Sequence, residues 1–129
     1  MQILTESGEE SAGVDALGVF PGQITQFSKS MKNPKGAVLK VPHMGWNEVE
    51  QGQHPMWNGI ADRTRFYFVH SYRYADATAE CAVGTCEYGA TFAAALSKPN
   101  VFAVQFHPEK SHDAGIHLYQ NFLTWDGAC

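Results

Sequence analysis

The chain has no uninterrupted apolar run of about 18 residues, the length a membrane-spanning helix needs. No membrane partner is therefore expected. Its first residues, Met1-Gln2-Ile3-Leu4-Thr5-Glu6, lack the basic and apolar segments of a secretory leader. Cysteine is scarce. Cys81, Cys86 and Cys129 are odd in number, and Cys81 and Cys86 lie five apart, which fits neither a disulfide framework, a CxxC redox pair nor a zinc knuckle. Reduced thiols in a cytoplasmic protein are the expectation. Positive charge is also short: nine Lys and Arg against 13 Asp and Glu leave a formal net charge of −4. A mildly acidic chain has no basic face for nucleic acid. There is no HExxH, and His107, His112 and His117 recur every five residues, so they do not share one helical face. No metal and no cofactor are expected. What is present is ordinary for a globular domain: 129 residues, enough for one domain, 44% hydrophobic and 17% charged.

Residues 1–10 suit a helix, and 11–18 are small and polar, hence a loop. Residues 19–27 read as a strand interrupted by Pro21-Gly22. Asn33-Pro34-Lys35-Gly36 is a turn, and 37–41 form the next strand, running into Pro42-His43-Met44-Gly45-Trp46-Asn47. Residues 51–62 are turn-rich. Aromatic and β-branched residues make 65–72 a strand, and 79–88 with 91–96 read as a hairpin around Gly89. The short apolar run 101–106 fits a buried strand. Ile116, Leu118, Tyr119, Phe122 and Leu123 give 112–125 the apolar stripe of a closing helix. A doubly wound α/β fold needs alternating strand and helix units to cover its sheet. Here the strands crowd together, and the early β-α-β units are missing.

The segment Val104-Gln105-Phe106-His107-Pro108-Glu109-Lys110 carries the chemistry. A buried strand runs out at an imidazole, at the sheet edge where open α/β sheets hold their sites. Proline stops the ladder. Glu109 is placed to return and accept from the imidazole, fixing its tautomer and leaving the other nitrogen free to take a proton from a thiol or hydroxyl. The same letters fit a plain strand end with two exposed polar residues. Pro42–Asn47 is equally double-edged, since Trp46 is either core at a strand corner or an exposed anchor for a partner.

Taken together, Met1-Gln2-Ile3-Leu4, Lys40-Val41-Pro42-His43-Met44-Gly45-Trp46-Asn47, Tyr67-Phe68-Val69-His70-Ser71-Tyr72, Cys86-Glu87-Tyr88-Gly89 and 102–111 resemble the glutaminase subunits of imidazole glycerol phosphate synthase, a branch of the class I (triad) glutamine amidotransferases. The resemblance spans essentially the whole chain. QFHPE is shared across the class, and PHMGWN is specific to this branch. The resemblance implies an α/β fold: the C-terminal portion of a flavodoxin-like, three-layer amidotransferase domain, strand-rich with a helix at each end, with residues 1–129 forming a partial domain. It implies His107 as triad base and Glu109 as its orienter. It implies Gln2, Glu10, Ser71 and Tyr72 as contacts to substrate glutamine. Met44, Trp46, Asn47, Tyr67 and Lys110 fall where such subunits meet a cyclase built as a (β/α)8 barrel, to which they pass ammonia for histidine biosynthesis.

The family's nucleophile is a cysteine in a Gly-x-Cys-x-Gly-Met-Gln elbow, of which Met1-Gln2 would be the end. None of the three cysteines fits that place. The expectation is a truncated chain, inactive by itself and poorly folded with an exposed sheet edge. Two rival readings stand beside it: a relative feeding a different synthase, and a non-catalytic remnant that only docks a barrel.

Overall fold

A computed structural model describes residues 1–129, the side chain of Ser11 excepted. Ten strands and one helix follow in chain order: β1 (Ser7–Gly8), β2 (Val14–Asp15), β3 (Gln23–Gln26), β4 (His43–Glu48), β5 (Glu50–Gln51), β6 (Arg65–His70), β7 (Tyr72–Tyr74), β8 (Ala82–Glu87), β9 (Thr91–Lys98), β10 (Val101–Val104) and α1 (His112–Thr124). Single 3-10 turns at Pro55–Trp57 and Pro108–Lys110 join them.

The main sheet runs β2-β1-β3-β7-β9-β8-β5, with β10 also on β9. The β1–β3 pair is parallel, and the other pairs are antiparallel. Its central strand, Thr91-Phe92-Ala93-Ala94-Ala95-Leu96-Ser97-Lys98, is buried from Phe92 to Ser97. Phe92 and Ala94 pack into one core cluster with Phe27, Phe66, Phe68, Phe106 and Leu118; Ala93 and Leu96 pack into another with Phe20, Ile24 and Tyr74. A strand covered on both faces reads as a continuous apolar run, as this one does.

β4 and β6 form a separate antiparallel ribbon in which His43 faces His70, Trp46 faces Tyr67 and Asn47 faces Phe66. Alternation sorts its side chains: Phe66, Phe68 and His70 turn inward, whereas Met44 and Trp46 are exposed. The helix packs over the Pro108–Lys110 turn and β6.

Most expected strands are present, several with shorter ends, whereas β9 runs two residues further, to Lys98. Two readings need correction. Residues 1–10 do not form an α-helix; 3-10 turns at Gln2–Leu4 and Glu10–Ala12 flank β1. Thr5, Ser7 and Gly8 are weak helix formers. The hydroxyl of Thr5 donates to the Gln2 carbonyl, while the carboxylates of Glu6 and Glu9 accept from the Gly22 and Gln26 amides beside β3. Residues 37–41 do not form a strand either. Only a Lys32–Val38 bridge occurs there, beside the Asn33 turn, and the ladder begins at His43, just after Pro42. Proline has no N–H to give a ladder.

Candidate functional site

His107 follows β10 by three residues, and its backbone is tied at both ends. Its amide donates to the Tyr67 carbonyl at 2.8 Å. The hydroxyl of Ser111 donates to the His107 carbonyl at 2.7 Å and accepts the Tyr67 amide at 3.0 Å. Ser111 is buried, so this double contact locks the loop to β6. The Pro108 turn then brings Glu109 back: its Oε1 lies 2.7 Å from His107 Nδ1. A carboxylate only accepts, so Nδ1 carries the proton and Nε2 presents a lone pair. The hydrogen bond from His107 is the leading cause that holds the Glu109 carboxyl below its ordinary range. Among the described residues, no side-chain hydroxyl or thiol is hydrogen-bonded to His107 Nε2.

A cavity of about 440 Å3 opens nearby, lined by Gln2, Glu10, Ser71, Tyr72, His70 and Gln105, with Pro42 and Val69. All four expected substrate contacts, from three separate segments, thus meet in one wall. The Gln2 amide Nε2 donates to the Tyr72 carbonyl at 2.9 Å and to Gln105 Oε1 at 3.0 Å. His107 lies within electrostatic reach of His70 in that wall.

The expected partner residues divide. Met44, Trp46, Tyr67 and Lys110 form one outward patch: Trp46 is 43% exposed and meets Tyr67 edge-on at 6.0 Å, and Lys110 Nζ sits 5.9 Å from the Tyr67 ring centre. Trp46 is therefore not a core residue; it stacks flat on His112 at 4.9 Å. Asn47 turns the other way, donating to the Glu87 carbonyl and contacting His43.

The cysteines supply no nucleophile at this cavity. Cys86 is buried in β8, where desolvation and then the Glu87 charge push its thiol up to about 12. Cys81, just before β8, contacts the Tyr74 hydroxyl. Cys129 lies 3.4 Å from the Ser97 hydroxyl, which also meets His54 Nε2 at 2.8 Å. That cluster imitates a nucleophile–base pair but cannot act as one. His54 Nδ1 accepts the Met56 amide, so Nε2 holds the proton and donates it to Ser97.

Sequence reasoning assigned no role to Gln105, Ser111, His43 or His70. The alternation that buries Phe66 and Phe68 also carries His70 inward, and that was a usable signal. The Ser111 latch depends on a contact 44 residues away in the chain and left none.

Fold and site together define the class: an α/β domain with a mixed sheet and a tautomer-fixed His–Glu pair, ready for proton transfer, near a polar cavity. The family model described as Glutamine amidotransferase class-I matches residues 1–125, and the chain belongs to that family. It is 56% identical over 128 residues to imidazole glycerol phosphate synthase subunit HisH of Pseudomonas putida, covering 98% of this chain and 60% of that protein. It is 51% identical to the subunit of the same name from Acinetobacter baylyi, with the same coverage. The chain thus spans about 60% of the length of these relatives. The glutaminase domain of Trypanosoma brucei CTPS with bound acivicin shares the fold at a TM-score of 0.53 and 17% identity, over 82% of this chain and 49% of that one.

Proposed function

We propose that these residues form the base-bearing part of a glutaminase that releases ammonia from glutamine for a cyclase subunit in imidazole glycerol phosphate synthesis. The observation that carries the reading is the His107–Glu109 pair, with Nε2 open, two residues beyond Gln105 in the wall of a cavity also lined by Gln2, Glu10, Ser71 and Tyr72. Similarity to the synthase subunits of Pseudomonas and Acinetobacter supports the choice of branch. The nucleophilic thiol comes from polypeptide outside the 129 residues, because none of the three cysteines here is suitably placed.

In this reading the Glu10 carboxylate attracts the substrate's ammonium group, and Gln2, Ser71 and Tyr72 hold its main-chain atoms. The thiol gives its proton to His107 Nε2 as sulfur bonds to the side-chain amide carbon. Glu109 stabilises the imidazolium. The C–N bond then breaks, and His107 returns the proton to the departing nitrogen, which leaves as ammonia. Water attacks the thioester with His107 again as base, releasing glutamate and restoring the thiol. Met44, Trp46, Tyr67 and Lys110 dock a (β/α)8 barrel that receives the ammonia.

The test is a chimera in which this chain replaces the matched part of the P. putida subunit, assayed for glutamate production with its cyclase. The chimera should turn over glutamine, and the 129-residue chain alone should not rise above blank. His107→Ala should lower kcat by roughly a thousandfold or more, as loss of a triad base does. Unchanged turnover in His107→Ala rejects the assignment. An inactive chimera that still binds the cyclase favours a docking role without chemistry.

A further inference from the structure

Four polar groups run in a line through the aromatic interior between the ribbon and the cavity. Asn47 Nδ2 lies 3.2 Å from His43 Nε2, His43 Nδ1 lies 2.8 Å from His70 Nε2, and His70 Nδ1 lies 2.7 Å from the Tyr72 carbonyl oxygen. Both imidazoles are buried, His43 at 3% and His70 at 7% exposure. His43 is sandwiched between Tyr88 and Phe68, with ring centres 4.0 and 4.9 Å away, and Phe27 and Phe92 close the cage around both histidines.

The direction of this chain is determined from both ends. A carbonyl oxygen can only accept, so His70 Nδ1 must carry a proton. In a neutral ring His70 Nε2 is then an acceptor, which makes His43 Nδ1 a donor and His43 Nε2 an acceptor. Asn47 must therefore present its NH2 group. The far end agrees independently: Asn47 Nδ2 also donates to the Glu87 carbonyl, and Asn47 Oδ1 accepts the Glu48 amide. Gly45, with φ +128° and no side chain, separates His43 from Asn47 on β4. A second proton on either ring would set two donors against each other. Burial holds both rings neutral: with the His70 charge also opposing it, His43 is lowered to about 3, and His70 is lowered to about 4 despite its bond to the Tyr72 carbonyl, with a smaller repulsion from His107.

The terminal acceptor matters for function. The Tyr72 carbonyl takes one hydrogen bond from His70 and another from Gln2, whose amide lines the cavity. We infer that His43 and His70 are positioning residues: their one-way hydrogen-bond chain from Asn47, the neighbour of the docking residue Trp46, fixes the Tyr72 carbonyl and through it the Gln2 amide in the glutamine-binding wall. This rests on the glutaminase reading above. The His107–Glu109 pair makes no hydrogen bond to the chain, and a neutral His70 brings no charge to bear on His107, so the expected effect falls mainly on glutamine binding.

The experiment uses the same chimera, saturated with cyclase. His70→Leu removes the donor and should raise the glutamine KM roughly tenfold, with kcat changed less than about threefold. His70→Asn keeps an N–H near the Nδ1 position and should restore KM to within about threefold of the parent. Asn47→Asp lines no part of the cavity but puts an acceptor opposite His43 Nε2; it should raise KM in the same sense. Parent-like KM in His70→Leu and Asn47→Asp overturns the inference, and so does His70→Asn behaving as Leu. In 15N-labelled chimera, long-range imidazole spectra should show both rings as neutral Nδ1–H tautomers. An Nε2–H tautomer at either histidine overturns the inference whether or not the chimera is active. An inactive parent, or an unaffected His107→Ala, overturns the glutaminase reading instead and leaves the tautomer result to judge the relay.

Discussion

Four of the six histidines owe their tautomer to the group opposite them. His107 faces an exposed carboxylate, His54 faces a backbone amide, and His43 and His70 face each other. Desolvation is the first cause that depresses His43, His70 and His54. Their folded values lie below that of the unfolded chain, so the unfolded state binds more protons as pH falls. Their stability is complete above about pH 6.5, the free-histidine value, and is lost on acidification toward 4 for His70 and 3 for His43. Each of these two should remove up to about 1.4 kcal/mol per pH unit across that window. Denaturant unfolding of the chimera at pH 7.5, 6.5, 5.5 and 4.5 should show a stability that is flat above 6.5 and falls below it. A midpoint unchanged down to pH 4.5 would contradict the burial of a neutral pair. At this scale the sequence was legible where partners are close in the chain. His107 and Glu109 are two apart, and their contact could be read from spacing. His43 and His70 are 27 apart, and only the strand register brings them face to face.

Among the elements, the short Pro108–Lys110 turn holds Glu109, the proposed orienter of His107, and α1 packs against it. Gly115 is buried where α1 crosses Pro108, and a Cβ there would collide with the Pro108 carbonyl and Cα. Backbone cannot yield as a flexible side chain can. Gly115→Ala should therefore destabilise the protein by about 1–3 kcal/mol, as overpacking does, and displace Glu109 from His107. In the chimera, a lowered melting temperature together with a lowered kcat would be observed; parent-like values of both would show that α1 slides freely over the turn. Strand existence was well announced by aromatic and β-branched runs, and α1 by its apolar stripe. Residues 1–10 misled because their glutamates resemble those of a helix start, whereas Glu6 and Glu9 spend their carboxylates on the neighbouring strand. Residues 37–41 misled because β propensity does not guarantee a partner strand.

For the molecule as a whole, apolar side chains on the outside decide behaviour in solution. Ile3, Leu17, Val38, Met44, Ile116, Phe122 and Leu123 are each more than half exposed. Exposed apolar surface of this kind promotes association. The 129-residue chain alone should bind a hydrophobic dye and elute above its 14.2 kDa mass in size-exclusion chromatography with light scattering, with both effects reduced in the chimera. A monodisperse, dye-silent monomer would contradict this. Family membership was legible from motifs alone, but the arrangement of the outward patch around Trp46 was not. Asn47 adjoins Trp46 in sequence, and the strand pleat still sends the two side chains to opposite faces.

The Asn47–Tyr72 hydrogen-bond chain is bounded by main-chain oxygens at both ends. Its arrow is thus written in the course of the backbone and not in any one side chain. A lineage carrying this trace could exchange much of the surrounding aromatic cage, ring for ring, and every descendant with histidine at both positions would still inherit the same proton on the same nitrogen.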